Sequence, residues 1–172
     1  MKNQILHTIG YEGISIEMFL SMLAHAGIDL LIDVRDVPIS RKKGFSKNKL
    51  AEALNECGVE YLHLKGLGDP KLGRIAAREG RIDDFRRIFK SHMQSSVAKV
   101  DLERGIDAAR NRFACLMCFE KEHQYCHRCI VAESMAIRGG FKLIHIRPDV
   151  AYASNQKTGR KSTQHGIRAH IG

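Results

Sequence analysis

Cysteine, glutamate, histidine and arginine crowd one stretch of the chain: Cys118-Phe119-Glu120, then five residues, then Cys126-His127-Arg128. An apolar run precedes this stretch and a helical pattern comes after it, which sets Cys126, His127 and Arg128 on the first turn of a helix. Unpaired backbone N–H groups and the helix dipole attract anions there. The same field, with Arg128 close by, lowers the pKa of a cysteine. The segment therefore offers an activated thiol or part of a phosphate cradle, against the plain alternative of a small buried cysteine beside a capping histidine.

Two further segments carry polar chemistry. Asp33-Val34-Arg35 closes a strongly apolar run. Strand alternation turns Asp33 and Arg35 to the same side, where they can pair, or where Asp33 can orient a water while Arg35 grips a phosphate. In Thr8-Ile9-Gly10-Tyr11-Glu12-Gly13 the glycines let backbone approach a ligand, and Tyr11 can stack on a base or donate a hydrogen bond. A tight turn with a packing tyrosine is the plain reading of that segment.

The elements that must position these residues are set by apolar spacing. Gln4 to Ile9 reads as a strand, Ser15 as the cap of a helix with Ile16, Phe19, Leu20 and Leu23 at helical spacing, and Ile28 to Val34 as a strand buried on both faces. This is a βαβ unit with an expected right-handed crossover. Ser46 is placed to cap a helix over 47–57, and a third strand spans Val59 to Leu64. Gly66 to Gly80, rich in glycine and charge, reads as a long loop. Helical patterns at 81–93 and 97–112 lead to a strand over Arg112 to Phe119, a helix over Cys126 to Arg138 and a strand over Phe141 to Ile146.

This alternation predicts an α/β fold: a Rossmann-like three-layer sandwich with a mostly parallel sheet of about five strands. Residues 1–148 form the domain, and 149–172 a basic C-terminal tail, docked or partly disordered. In such sheets ligands bind beyond the carboxyl ends of the strands, where all three loaded segments fall.

Composition bounds the partners. The chain has 172 residues, 44% hydrophobic and 27% charged, which is ordinary for a single globular domain. Lys plus Arg is 28 against 19 for Asp plus Glu, a net charge of +9 that attracts polyanions. Arg35, Arg41, Lys42, Lys43, Lys47 and Lys49 cluster with only Asp36 opposing. No stretch approaches the roughly 20 apolar residues of a membrane span, so no membrane role is expected. The N-terminus has too short an apolar run for a signal peptide, and five cysteines, an odd number, point to a reducing cytoplasm.

The spacings Cys115-x-x-Cys118 and Cys126-x-x-Cys129 invite a zinc reading. Residues three apart in a strand face opposite sides, and FACLMCFE has no glycine for a knuckle turn. No metal and no cofactor are therefore expected.

At these residues the chain resembles the DUF488 family. The matching stretches are TIGYEG at 8–13, DVR at 33–35, SRKKGFSK at 40–47, YLHLKGLG at 61–68 and CFEKEHQYCHR at 118–128. The resemblance implies a Rossmann-like α/β domain with a site drawing on Asp33, Arg35, Ser40, Arg41, Gly44, Phe45, Lys47, Cys118, Glu120, Cys126, His127 and Arg128. In relatives the CHR triplet is usually followed by a residue other than cysteine, so Cys115 and Cys129 look particular to this chain. DVR at a strand end is also similar, in part, to rhodanese-like domains, whose catalytic cysteine heads a loop before a helix. Here Cys126 lacks the small-residue loop expected of that site.

Three functions are weighed. The first is a hydrolase acting on nucleic acid, DNA more than RNA, or on a nucleotide, with cleavage of a base–sugar N-glycosidic bond, as in a DNA glycosylase, as the specific expectation. Its catalytic set is Tyr11, Asp33, Glu120 and His127: a carboxylate stabilises an oxocarbenium-like sugar or activates water, His127 and Arg128 support the departing base, and Tyr11 or Phe45 stacks the flipped base. Gly10, Arg35, Ser40, Arg41, Lys42, Lys43, Phe45, Lys47, Cys118, Cys126 and Arg128 form the substrate- and phosphate-binding set. The second is a rhodanese- or phosphatase-like thiol enzyme using Cys126. The third is a non-catalytic nucleic-acid-binding module.

Overall fold

The computed structural model describes residues 4–147. Five strands, β1 (Gln4–Gly10), β2 (Leu30–Asp33), β3 (Glu60–His63), β4 (Ala114–Cys118) and β5 (Phe141–Ile146), form one sheet in the order β3-β2-β4-β1-β5. Every pairing is parallel, as the alternating strands and helices predict. The expected basic tail, with Arg160, Lys161, His165 and Arg168, lies outside the described residues.

Alternation along the strands divides the core into two layers. Leu30, Ile32, Leu116 and Cys118 pack on one face with α4 (Ile82–His92), α5 (Ser96–Ala109) and α6 (His127–Gly139). Leu31, Cys115 and Met117 pack on the other with Phe19, Met22 and Leu23 of α1 (Ile16–His25) and Leu50 and Leu54 of α2 (Lys47–Glu56). The result is the three-layer α/β sandwich expected from the sequence. Cys115 and Cys118 do face opposite layers.

Ser15 caps α1 by accepting the Met18 N–H at 3.2 Å. Ser46 sits at the N-cap of α2 but makes no side-chain cap, because its hydroxyl is used inside the preceding loop. The stretch read as a long loop, Gly66 to Gly80, instead holds a short 3-10 turn at Lys65–Leu67 and α3 (Lys71–Arg78), packed on α4. Glycine at position 73 obscures that helix. A Cβ there would stand 2.0 Å from Asp69 Oδ1, so the close approach of helix and carboxylate demands glycine, at a cost of about 1 kcal/mol relative to alanine.

The chain order sets where a site can form. From β1 the chain runs past β4 to β2, and from β4 it runs past β1 to β5. The connections after these two adjacent strands depart in opposite directions, which opens a crevice at their carboxyl ends. Gly10 and Cys118 end those two strands side by side in register. Among the described residues no helix is long and apolar enough to cross a membrane.

Candidate functional site

Beyond the end of β4 the chain is laced to the turn after β1. Tyr11 and Glu12 donate their N–H groups to the Cys118 and Phe119 carbonyls at 3.3 and 2.9 Å, and Glu12 Oε2 accepts from the Lys121 N–H at 2.9 Å. The Glu120 carbonyl lies directly over Gly10, where a Cβ would come within 1.8 Å of it. The fully buried Arg128 guanidinium donates to the Glu120 carbonyl at 2.5 Å and to the Lys121 carbonyl at 3.1 Å. Glycine below and arginine behind thus fix the loop that carries Glu120.

That loop delivers one compact cluster. Cys126 is the N-cap of α6, its sulfur accepting the Arg128 N–H at 3.5 Å. Glu120 Oε2 lies 3.0 Å from Cys126 Sγ and 3.3 Å from Cys118 Sγ. The His127 ring approaches Cys118 Sγ at 3.8 Å and Cys126 Sγ, through Nδ1, at 3.9 Å. His127 Nε2 sits 2.8 Å from the Val34 carbonyl. A carbonyl only accepts, so Nε2 carries a hydrogen and Nδ1 faces the sulfurs.

The electrostatics stem from this packing. Burial would raise the Cys126 thiol, but the Cys118 thiol, the His127 imidazole and the Arg128 guanidinium outweigh it and hold Cys126 well below an ordinary cysteine. Cys118, hydrogen-bonded to Cys126 and buried, is pushed up, toward its protonated form. Burial and the neighbouring Cys126 push the Glu120 carboxyl up to about 7. His127 is pulled down by burial but lifted to about 9 by Cys126, the Val34 carbonyl and Glu120. A cysteine shifted toward its thiolate, a histidine shifted toward its imidazolium, a thiol shifted toward its protonated form and a carboxyl raised to about 7 therefore share one small space.

Asp69 adds a second carboxylate that sequence reasoning missed. It is buried, its Oδ1 has no hydrogen-bond partner, and burial pushes its pKa up to about 6 against the pull of His127 and Arg74. Its sequence signal was faint, a single aspartate in a glycine-rich stretch mistaken for loop.

The residues expected around DVR and TIGYEG converge as well, but on each other. Asp33 is fully buried and accepts a bidentate pair from Arg35 at 2.6 and 2.9 Å, the Arg35 N–H at 3.1 Å and the Tyr61 hydroxyl at 2.6 Å. Arg35 also donates to the Tyr11 hydroxyl at 2.9 Å and to the Phe45 carbonyl at 2.8 Å. Tyr11 stacks on Phe45 with centroids 4.2 Å apart and planes 9° from parallel, both rings buried. Asp33 thus has no oxygen turned to a substrate, and Tyr11 and Phe45 have no free face for a base. Arg35 and Arg128 spend their guanidinium groups inside the fold rather than on a phosphate.

The basic loop keeps its surface character. Arg41, Lys43 and Lys47 are exposed and Lys42 half-buried. Ser40 shapes the loop rather than facing outward: its N–H donates to Ser46 Oγ, and its own Oγ accepts the Lys42 N–H, each at 3.1 Å.

The four-cysteine zinc set does not assemble. Cys115 faces the opposite layer, and the Cys129 thiol donates to Glu133 at 3.4 Å. The donor atoms that do come within 4.8 Å of one another are those of Cys118, Glu120, Cys126 and His127, close enough for a soft cation to bridge.

A family model described as "Domain of unknown function DUF488" matches residues 15–135. The match takes in every cluster residue and leaves out the turn at Gly10 and Tyr11. No curated protein and no solved structure matches the chain.

Proposed function

The chain belongs to the DUF488 family, and as that description assigns no chemistry, we propose from the site that this is a thiol enzyme. Cys126 is its nucleophile, and it takes a sulfane sulfur from a small anionic donor. The observation that carries this reading is the placement of the Cys126 sulfur: at the N-terminus of α6, on the Arg128 N–H, 3.0 Å from Glu120 and beside the His127 ring. The Arg128 N–H and the His127 ring replace water that would otherwise solvate a thiolate, and Glu120 can take the thiol proton.

Two features favour sulfur over phosphorus. A thiol phosphatase needs a guanidinium aimed at the phosphate, and the Arg128 guanidinium is bonded to two carbonyls. A second thiol, Cys118, has no work in phosphoryl transfer but is suited to sulfur chemistry. Thiosulfate serves as the model donor. The Cys126 thiolate attacks its outer sulfur, the sulfur–sulfur bond breaks with its electron pair going to sulfite, and a Cys126 persulfide remains. The exposed cations at 41–47 draw in anions, whether a small donor or a nucleic acid or nucleotide partner.

Cleavage of an N-glycosidic bond is the weaker reading. Of its carboxylates Asp33 is fully engaged in the core, leaving Glu120, and its stacking rings are packed on each other.

The test is sulfite release from thiosulfate with an excess of a dithiol reductant, which takes up the accepted sulfur's oxidising equivalents, measured against the same mixture without protein. The parent protein releases sulfite catalytically and Cys126→Ser does so only at the uncatalysed rate. A parent that releases none, or a serine variant as fast as the parent, overturns the proposal.

A further inference from the structure

Cys118 forms and breaks no bond to sulfur in the first step, where its thiol only supports the Cys126 sulfur. It ends β4, buried, with its thiol 3.3 Å from the same Glu120 oxygen that Cys126 contacts at 3.0 Å. The two sulfurs lie within 4.8 Å of one another. A disulfide needs a separation of about 2.05 Å, so the two side chains, which already meet at one carboxylate oxygen, must turn toward each other to form it. Both residues also belong to the same core layer, and their side chains are hydrogen-bonded to each other.

We propose that Cys118 is the resolving thiol of this site, so that sulfur accepted on Cys126 leaves as hydrogen sulfide while a Cys118–Cys126 disulfide forms. The inference rests on the reading of Cys126 as a sulfur acceptor and adds the fate of the accepted sulfur. The Cys118 sulfur attacks the inner sulfur of the Cys126 persulfide. The bond between the two persulfide sulfurs breaks, its electron pair goes to the outer sulfur, and that sulfur departs as hydrosulfide. The thiol proton of Cys118 passes to the departing sulfur by way of the Glu120 carboxyl, which touches both cysteines. The sulfane sulfur is reduced to sulfide, and the two cysteine sulfurs are oxidised to a disulfide. An external dithiol reductant returns the pair to the starting state and becomes a disulfide itself. The enzyme is thus a sulfane-sulfur reductase that needs a dithiol for each turnover.

Geometry separates this pair from the other cysteines. Cys115 lies in the opposite layer, Cys57 is exposed at the end of α2, and the Cys129 thiol is turned to Glu133. None of the three shares the Glu120 contact.

Intact-protein mass spectrometry after reaction with thiosulfate, in the absence of reductant, reads the outcome directly. The parent loses the mass of two hydrogens and releases sulfide, and peptide mapping finds Cys118 joined to Cys126. Cys118→Ser, and Cys118→Ala as a second form, gains the mass of one sulfur on Cys126 and releases none. Cys126→Ser is unchanged in mass, and Cys129→Ser behaves as the parent. A parent that holds a stable extra sulfur overturns the resolving role while leaving the sulfur-acceptor reading intact. If neither the parent nor Cys118→Ser changes mass, the acceptor reading itself falls, and the inference with it.

Discussion

Buried titratable groups in this fold divide by whether their partners use up all of their bonding capacity. Asp33 meets Arg35, Tyr61 and a backbone N–H, and every lone-pair direction it needs is filled. Glu120 turns one oxygen to the sulfurs of Cys118 and Cys126 with no cation paired to it, and Asp69 leaves one oxygen with no partner at all. The first is structure; the other two retain capacity for chemistry. The sequence identified Cys126, His127 and Glu120 as neighbours because they lie within one strand-loop-helix passage. It could not tell a catalytic carboxylate from a structural one, since that depends on contacts such as Tyr61 with Asp33, 28 positions apart. The same limit placed Arg35 and Arg128 on a phosphate when their guanidinium groups hold the backbone and core. Asp69 supplies a prediction at this scale. Its pKa rises from an ordinary carboxylate to about 6 on folding, so the folded state binds the extra proton and stability falls as pH climbs from about 4 through 6. Asp69→Asn removes that loss. Urea unfolding should find the variant more stable by about 1–2 kcal/mol at pH 7.5 and equal to the parent near pH 4, allowing for partial solvent screening. Equal stabilities at both pH values would show that Asp69 is not held against its charge.

At the scale of elements, strand and helix periodicity was readable wherever apolar residues repeat, which among the described residues covers all five strands and five of the six α-helices. The α3 helix escaped because glycine and charge dominate its stretch, and the reason for Gly73, contact with Asp69, is tertiary. The Ser46 cap failed for a related reason: a hydroxyl that suits a helix cap equally suits the loop before it, and the loop took it. Gly10 shows the same logic in the service of the site. The glycine was visible as a residue allowing close approach, but what approaches is the Glu120 carbonyl rather than a ligand. Gly10→Ala must push that carbonyl away, at a cost of about 3 kcal/mol from overpacking. Thermal unfolding should show the destabilisation, and sulfite release should be abolished in the fraction still folded because Glu120 leaves Cys126. A variant with the parent's stability and rate would mean that the loop is not seated on β1.

At the scale of the molecule, the basic side chains of the described residues fall into two groups. Many arginines are tied into ion pairs, among them Arg74 with Asp36, Arg112 with Asp29 and Glu60, and Arg81 with Glu79 and Asp84. Exposed Arg41, Lys43 and Lys47 gather instead on the loop between β2 and α2. If that loop receives polyanions, replacing all three with alanine lowers affinity for duplex DNA and flattens its salt dependence by about 0.9 logarithmic unit for each phosphate no longer neutralised. Fluorescence anisotropy across a salt series measures both. An unchanged slope would move the anion-binding face elsewhere.

Whether the folded protein holds Cys126 as a thiolate is answered most directly by its rate of alkylation with iodoacetamide, read by peptide mass spectrometry as pH is lowered. Cys126 should react at a nearly constant rate down through neutrality, while free cysteine in the same buffer slows about tenfold per pH unit below about 8.5. Parallel decline of Cys126 and the free amino acid would mean that Cys126 is no nucleophile poised at neutral pH.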